Sequence, residues 1–309
     1  MTTLRQNPER IYYASPAPIT RLETHRVFAE RITDDIDAIF RIVQGLVVHD
    51  GWVAAYGIEF DDAQRYDFST LTMEVLLDRA VELGGERLEI PRGPDRRVIG
   101  CCRDFATLMV AILRAKGVPA RSRCGFVSYF DDTPKWEDHW LCEYWSKVEG
   151  RWVFADPQMD PFQQSVLKLD FSPLDVPRDR FLSGGEAWRR CRAGQLNPGD
   201  FGIGDEPATY GLASLYGLWF VRGNLLRDVA ALNRVELVPL LMRLWRGLDW
   251  SAWRLVGAED DELSSSDWAL LDRASELACK TSDGFGELRA LYRDCADLRP
   301  ASPILRYEA

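Results

Sequence analysis

Gly100-Cys101-Cys102-Arg103-Asp104-Phe105-Ala106 opens the stretch whose reading decides the fold, and Trp152-Val153-Phe154-Ala155-Asp156-Pro157 closes it. Between them stand Gly117-Val118-Pro119-Ala120-Arg121 and Asp138-His139-Trp140. A thiol, an imidazole and a carboxylate therefore follow one another, each in a different local setting. These are the parts of an activated-cysteine acyl transfer site.

The run after Gly100 reads as a helix. Phe105, Leu108, Met109, Ile112 and Leu113 recur at helical spacing and form one wide apolar face. Arg114 and Lys116 fall in its last turn, Gly117 suits the left-handed residue after it, and Pro119 forbids continuation. Cys102 then lies in or just before the first turn, where unpaired N–H groups and the helix dipole favour a thiolate. A small buried hydrophobe is the commoner fate of a free cysteine, and position alone does not exclude it for Cys102.

The chain has three histidines, His25, His49 and His139. His139 opens an aromatic run, His139 to Trp145, that reads as a strand with His139, Leu141, Glu143 and Trp145 on one face. Arg151 to Asp156 reads as a second strand, stopped by Pro157, and the two predict an antiparallel hairpin. A tight Glu149-Gly150 turn would set Asp156 against Glu143. Setting Asp156 against His139 requires a turn centred on Lys147-Val148 and an irregularity near Gly150, and this is the register expected. The competing reading of Asp156 is an ordinary turn residue before proline.

The order Gly-x-Cys-Arg-Asp-Phe-Ala, Arg-Ala-x-Gly-x-Pro-Ala-Arg, His-Trp and Trp-x-x-x-Asp-Pro resembles the transglutaminase-like core. Here those pieces are Gly100–Ala106, Arg114–Arg121, His139–Trp140 and Trp152–Pro157. The resemblance covers about a fifth of the chain. It implies an α+β, papain-type thiol fold with Cys102 as nucleophile, His139 as base and Asp156 as the residue that orients it. The flanking regions are similar to bacterial proteins known only for containing this domain. Cys101 beside Cys102 departs from the family's single cysteine, and alignment on Arg103-Asp104-Phe105 favours Cys102.

At 309 residues the chain suffices for one large domain or two small ones. Residues 1–185 read as the core with a helical N-terminal part, and 186–309 as an all-helical extension packed on it. No apolar run approaches the ~20 residues that span a bilayer, and the first residues show no signal-peptide pattern. The seven cysteines follow neither disulfide nor zinc-ribbon spacing, so a cytoplasmic protein without cofactor or metal is expected. The net charge of −10 argues against nucleic-acid partners. From Arg92 to Arg123, however, eight basic residues meet two acidic ones. That run is either a face neutralised by the acidic remainder or a field that attracts an anionic substrate.

Elsewhere, residues 1–32 read as an irregular lead-in punctuated by Pro8, Pro16 and Pro18. Thr33 or Asp34 is expected to cap a helix that carries Ile36, Ile39, Phe40 and Val43 and reaches His49. A second helix is predicted from about Ser69 to Leu83, a loop at Pro91–Arg97, and a strand at Leu167–Phe171. Trp188–Cys191, Leu215–Leu226, Val229–Leu244 and a helix capped by Ser264 or Ser266 follow.

The expected function is cysteine-dependent acyl transfer on an amide or ester of a peptide, protein or small molecule, resolved by water or by an amine. The Cys102 backbone N–H supplies one oxyanion donor. Trp52, Tyr56 and Trp140 are further oxyanion or pocket candidates. The alternatives are a binding protein that keeps the fold without the reaction, and a metal protein. The latter is disfavoured because no CxxC pair exists and His139 and Cys142 differ in strand parity.

Overall fold

The computed structural model of the chain describes residues 7–59, 72–130, 135–204, 214–237, 253–280 and 283–300. It is a mixed helix-and-sheet fold that clusters into two compact units. One comprises Met1–Ser122 and Leu141–Val176, the other Arg123–Trp140 and Pro177–Ala309.

In the first unit the lead-in is not irregular, because it forms helices α1 (Pro8–Tyr13) and α2 (Arg26–Arg31). Asn7 caps α1 by accepting from the Glu9 N–H at 2.9 Å, and Pro8 begins it. Proline there forfeits no helix hydrogen bond, so it starts an element as readily as it ends one. Helix α3 (Ile36–Leu46) follows the expected periodicity, but Asp35 rather than Thr33 or Asp34 holds the cap position. Nor does α3 reach His49: the β-branched pair Val47-Val48 with His49 forms strand β1 (Val47–His49).

A 3₁₀ segment, Asp50–Tyr56, follows β1. Helix α4 (Met73–Gly84) is capped by Thr72, which accepts from the Val75 N–H at 3.4 Å. Residues 69–71, where that helix was expected to begin, lie outside the described residues. The expected loop at Pro91–Arg97 contains a 3₁₀ turn, Pro94–Arg96, and leads into a strand the sequence reading missed, β2 (Val98–Gly100). It pairs parallel with β1, setting Val47 against Val98, Val48 against Ile99 and His49 against Gly100.

Helix α5 (Cys102–Ala115) is buried on every side from Cys102 to Arg114, as befits the central helix against which α2, α3 and α4 pack. Gly117 closes it at φ +71, as its composition predicted. The basic last turn is anchored internally. Arg114 donates to the Ala120 carbonyl and the Thr20 hydroxyl, both at 2.9 Å, and Lys116 donates to the carbonyls of Ala29 and Ile32 at 3.1 and 2.8 Å.

Strands β3 (Ala120–Val127), β4 (Trp136–Ser146), β5 (Arg151–Ala155) and β6 (Phe181–Ser183) hydrogen-bond in the order β5-β4-β3-β6. Strand β7 (Phe201–Gly202) runs parallel beside the start of β4. The β4–β5 hairpin exists, but neither register considered from the sequence is adopted. Cys142 faces Ala155 and Ser146 faces Arg151, leaving the loop Lys147–Gly150. Gly150 closes that loop at φ +64 and donates its N–H to the Ser146 carbonyl at 2.9 Å.

The expected strand at Leu167–Phe171 is absent. Leu167 ends helix α6 (Pro161–Leu167), and Lys168 turns left-handed at φ 52. Asp160 caps α6 by accepting from the Phe162 and Gln163 N–H groups, each at 3.0 Å. That Asp-Pro helix start outweighs a short alternation downstream.

The second unit is mainly helical: α7 (Gly184–Arg192), α8 (Leu218–Leu232), α9 (Arg254–Gly257), α10 (Ser265–Cys279) and α11 (Phe285–Asp294). Ser264 caps α10 as expected, accepting from the Asp267 N–H at 3.2 Å while Asp267 accepts from the Ser264 N–H at 2.9 Å. The run expected at Val229–Leu244 is divided: α8 ends at Leu232, and residues 238–244 lie outside the described residues. A Cβ at Gly184 would strike the Asn224 backbone, so glycine lets α7 lie directly on α8. Trp188 is fully buried, stacks on Trp268 at 5.7 Å and donates its indole N–H to Asp272 at 2.8 Å. It belongs to the core, as tryptophans of this setting usually do.

Candidate active site

Parallel pairing of β1 with β2 delivers the chain to the cysteine doublet. A Cβ at Gly100 would stand 2.9 Å from Asp104 Oδ2 and 3.0 Å from Val47 Cγ1, so the doublet is preceded by a residue without one. Cys101 occupies the extended cap position of α5 and Cys102 its first helical position. The Cys101 N–H donates to Asp104 Oδ2 at 3.0 Å, and its thiol donates to the same oxygen at 3.4 Å. Arg103 Nη1 donates to the other oxygen at 2.9 Å. The Cys101 pKa is pushed well above the ordinary thiol range by its hydrogen bond with Cys102, by burial and by the Asp104 charge. Cys101 is therefore held as a neutral thiol. Both cysteines are buried, at 7 % exposure each.

Asp156 follows β5 in the same unit and is fully buried. Its N–H donates to the Pro173 carbonyl at 2.7 Å, and its Oδ1 accepts from the Gln158 N–H at 3.1 Å. The turn before proline is thus present, and the carboxylate is held inside it.

His139 lies on β4 in the second unit, 1 % exposed, with the rings of Phe130 and Tyr129 meeting it edge-on at 5.0 and 6.3 Å. The adjoining Asp138 accepts from Asn224 Nδ2 at 2.8 Å and from Arg227 at 3.3 Å. Asn224 also donates to the Gly125 carbonyl at 3.0 Å, which ties helix α8 to the strands on either side of its amide. No sequence pattern announces that hold, since Asp138 and Asn224 stand 86 residues apart.

Among the pocket candidates, Trp52 and Tyr56 sit on the 3₁₀ segment of the first unit and gather around Phe162, with ring centroids at 6.3 and 4.9 Å. The Tyr56 hydroxyl donates to Asp160 Oδ2 at 2.7 Å. Burial and then that carboxylate raise its pKa far above the phenol range. Asp160 also lies 3.6 Å from Arg97. Trp140, in the second unit, is fully buried in the strand.

The structure also identifies a residue that sequence reasoning left unassigned. His49 ends β1 directly across from Gly100. Its Nδ1 accepts from the Gly51 N–H at 3.1 Å and stands 2.9 Å from Asp50 Oδ1. A pairing that joins residues 51 positions apart carries no local signal in a single sequence.

The basic run around the cysteines is largely neutralised inside the protein. Arg92 donates to the Ala80 and Gly85 carbonyls, Arg103 to Asp104, Arg121 to Glu9 and Glu143, and Arg123 to Asp228. Arg114 and Lys116 hold the carbonyls and hydroxyl already described, whereas Arg96 is exposed.

The structure thus sets a thiol at the first position of a buried helix in a mixed helix-and-sheet unit. Residues 93–157, which hold Cys102, His139 and Asp156, match the family model of the Transglutaminase-like superfamily. One solved structure, "The Crystal Structure of a Putative Cysteine Protease from Cytophaga hutchinsonii", aligns at 16% identity and a TM-score of 0.35. The alignment covers 59% of this chain and 48% of that one, so this chain matches about half of that protein's length. No curated protein matches the chain. Among the described residues, no helix is long and apolar enough to cross a membrane.

Proposed function

We propose that the protein is a cysteine-dependent acyl transferase or amide hydrolase in which Cys102, His139 and Asp156 act together. The observation that carries this reading is the setting of Cys102, at the first position of α5 inside the matched segment, beside a cysteine whose thiol donates to Asp104. His139 takes the Cys102 proton and the sulfur attacks an amide or ester carbonyl, forming a tetrahedral intermediate. The Cys102 backbone N–H donates to the developing oxyanion, with Trp52 as the candidate for a second donor, since the Tyr56 hydroxyl is engaged by Asp160. Collapse breaks the bond to the leaving group, which leaves with the proton from the imidazolium, and a thioester remains. Water or an amine then resolves it.

Asp156 holds the imidazole in the tautomer that the first step requires.

The test is incubation with a glutamine-containing peptide and a primary amine, with products read by mass. Amine incorporation selects transamidation, and a hydrolysed product selects water as acceptor. Cys102→Ala is expected to abolish either product and His139→Ala nearly so, with Asp156→Asn retaining more activity than both. Absence of product together with an unreactive Cys102 would favour a binding protein that retains the fold alone.

A further inference from the structure

In the second unit, helix α8 and strand β4 are joined by a closed set of polar contacts at the residue next to His139. Asn224 is fully buried and engages both polar atoms of its amide. Its Nδ2 donates to Asp138 Oδ1 at 2.8 Å and to the Gly125 carbonyl at 3.0 Å, while its Oδ1 accepts from Arg227. Arg227, also fully buried, donates to both oxygens of Asp138 at 3.3 Å. We infer that Asp138, Asn224 and Arg227 are positioning residues for His139: by gripping β4 at Asp138 they fix where the neighbouring imidazole stands. The inference rests on His139 acting as the base for Cys102.

The strand carries the effect from one residue to the next. Successive side chains on a strand point to opposite faces, so Asp138 reaching α8 sends His139 to the other face. A slip of one residue would exchange the two. It would also take from the buried Asn224 amide and Arg227 guanidinium the carboxylate they hold, which is costly in a water-free interior. Parallel pairing with β7 ends at Glu137, and the grip on Asp138 takes over at the following residue.

Both ends of this arrangement are held. Helix α8 is buried from Phe220 to Leu232, and a Cβ at Gly184 would stand 2.4 Å from the Asn224 carbonyl oxygen, so α7 closes directly over the gripping residue. On the other side, His139 is 1 % exposed and the rings of Phe130 and Tyr129 meet it edge-on at 5.0 and 6.3 Å. A ring enclosed in this way takes its position from the backbone that carries it. Helix α8 thereby acquires a task in the reaction besides packing.

Arg222 supplies the comparison that separates positioning from stability. It is a fully buried arginine of the same helix, but it donates to Asp260 and to the Ala258 carbonyl instead of to β4. Arg222→Met should weaken folding without disturbing His139.

The experiment takes two readouts on protein whose fold is checked by circular dichroism. One is the His139 ring signals in NMR spectra, assigned by their loss in His139→Gln, since His25 and His49 are the other histidines. The second is the rate of Cys102 alkylation by limiting iodoacetamide at pH 6, assigned by peptide mapping, because a thiolate beside a well-placed imidazolium reacts below the ordinary thiol range. Asp138→Ala and Arg227→Met should shift or broaden the His139 signals alone and slow alkylation about ten- to a hundred-fold, towards the His139→Gln rate. Asp138→Asn, which keeps an oxygen for the Asn224 amide, should retain most of the rate. Asn224→Ser is the milder replacement should the first two fail to fold, and it should move both readouts in the same direction.

Unmoved His139 signals in the folded variants would overturn the inference, and so would an equal change in Arg222→Met, which would mark a general loosening of α8. If His139→Gln slows alkylation while the Asp138, Asn224 and Arg227 variants do not, the inference falls and the triad stands. If His139→Gln reacts as the wild type does, His139 is not the partner of Cys102, and the triad and this inference fall together.

Discussion

At the scale of single residues, chemistry is assigned by what each group is already bound to. Cys101 and Cys102 are neighbours of equal burial, yet Cys101 spends its N–H and its thiol on Asp104 and is pushed up in pKa. Limiting iodoacetamide near neutral pH should therefore label Cys102 ahead of Cys101, and ahead of the partly exposed Cys279 and Cys295. Preferential labelling of Cys101 in peptide maps would reverse the assignment.

Tyr13 gives a second residue-scale prediction. Burial raises its pKa to about 12; Arg121 opposes the rise and Glu9 adds to it. The native state thus keeps the phenol protonated where the unfolded chain loses its proton. This contribution is complete below about pH 10 and is lost as pH climbs towards 12. It amounts to about 2–3 kcal/mol at its fullest. Urea unfolding of Tyr13→Phe should accordingly show a shallower loss of stability between pH 9 and 12 than the wild type.

At the scale of elements, local signals held wherever a helix declared both its ends. Helix α5 starts at the cysteine doublet and stops at Gly117 as its composition requires, and Ser264 caps α10 as read. The hairpin was legible as a hairpin but not in its register. Two-residue alternation fixes which side a residue faces and leaves open how far one strand slides along the other. Gly150 decides the slide. Its left-handed backbone closes the loop Lys147–Gly150, and nothing lies within 4 Å of where its Cβ would be. Gly150→Ala should therefore cost about 1 kcal/mol through backbone strain alone, and Gly150→Asn less. Denaturant midpoints of the two variants check this; a larger loss for asparagine would count against it.

At the scale of the whole molecule, buried ion pairs join residues that the sequence keeps far apart. Arg121 holds Glu9 and Glu143, each at 2.7 Å, and lies over the rings of Trp152 at 4.2 Å and Tyr13 at 5.0 Å. Arg123 grips Asp228 with two bonds, at 2.8 and 2.9 Å. Replacing Arg121 with methionine would leave two carboxylates buried without that cation. Arg121→Met should cost about 3–5 kcal/mol in urea unfolding, whereas Glu143→Gln, which leaves the Arg121–Glu9 pair in place, should cost clearly less. Equal losses would show that the second carboxylate matters as much as the arginine.

The sequence by itself determined the helix that carries Cys102, its stop at Gly117, the strands bearing His139 and Trp152, and the Ser264 cap of α10. All of these are local, so periodicity and short-range hydrogen bonding suffice to predict them. Tertiary structure alone decided the pairing of β1 with β2 that brings His49 to Gly100, the burial of the basic run, and the hold of Asn224 and Arg227 on Asp138. It also turned Leu167 into a helix end and the N-terminal prolines into parts of an ordered segment. The physical reason is common to these cases. A charge or a strand edge takes its partner from whatever the fold brings within a few ångströms, and separation along the chain says nothing about that distance.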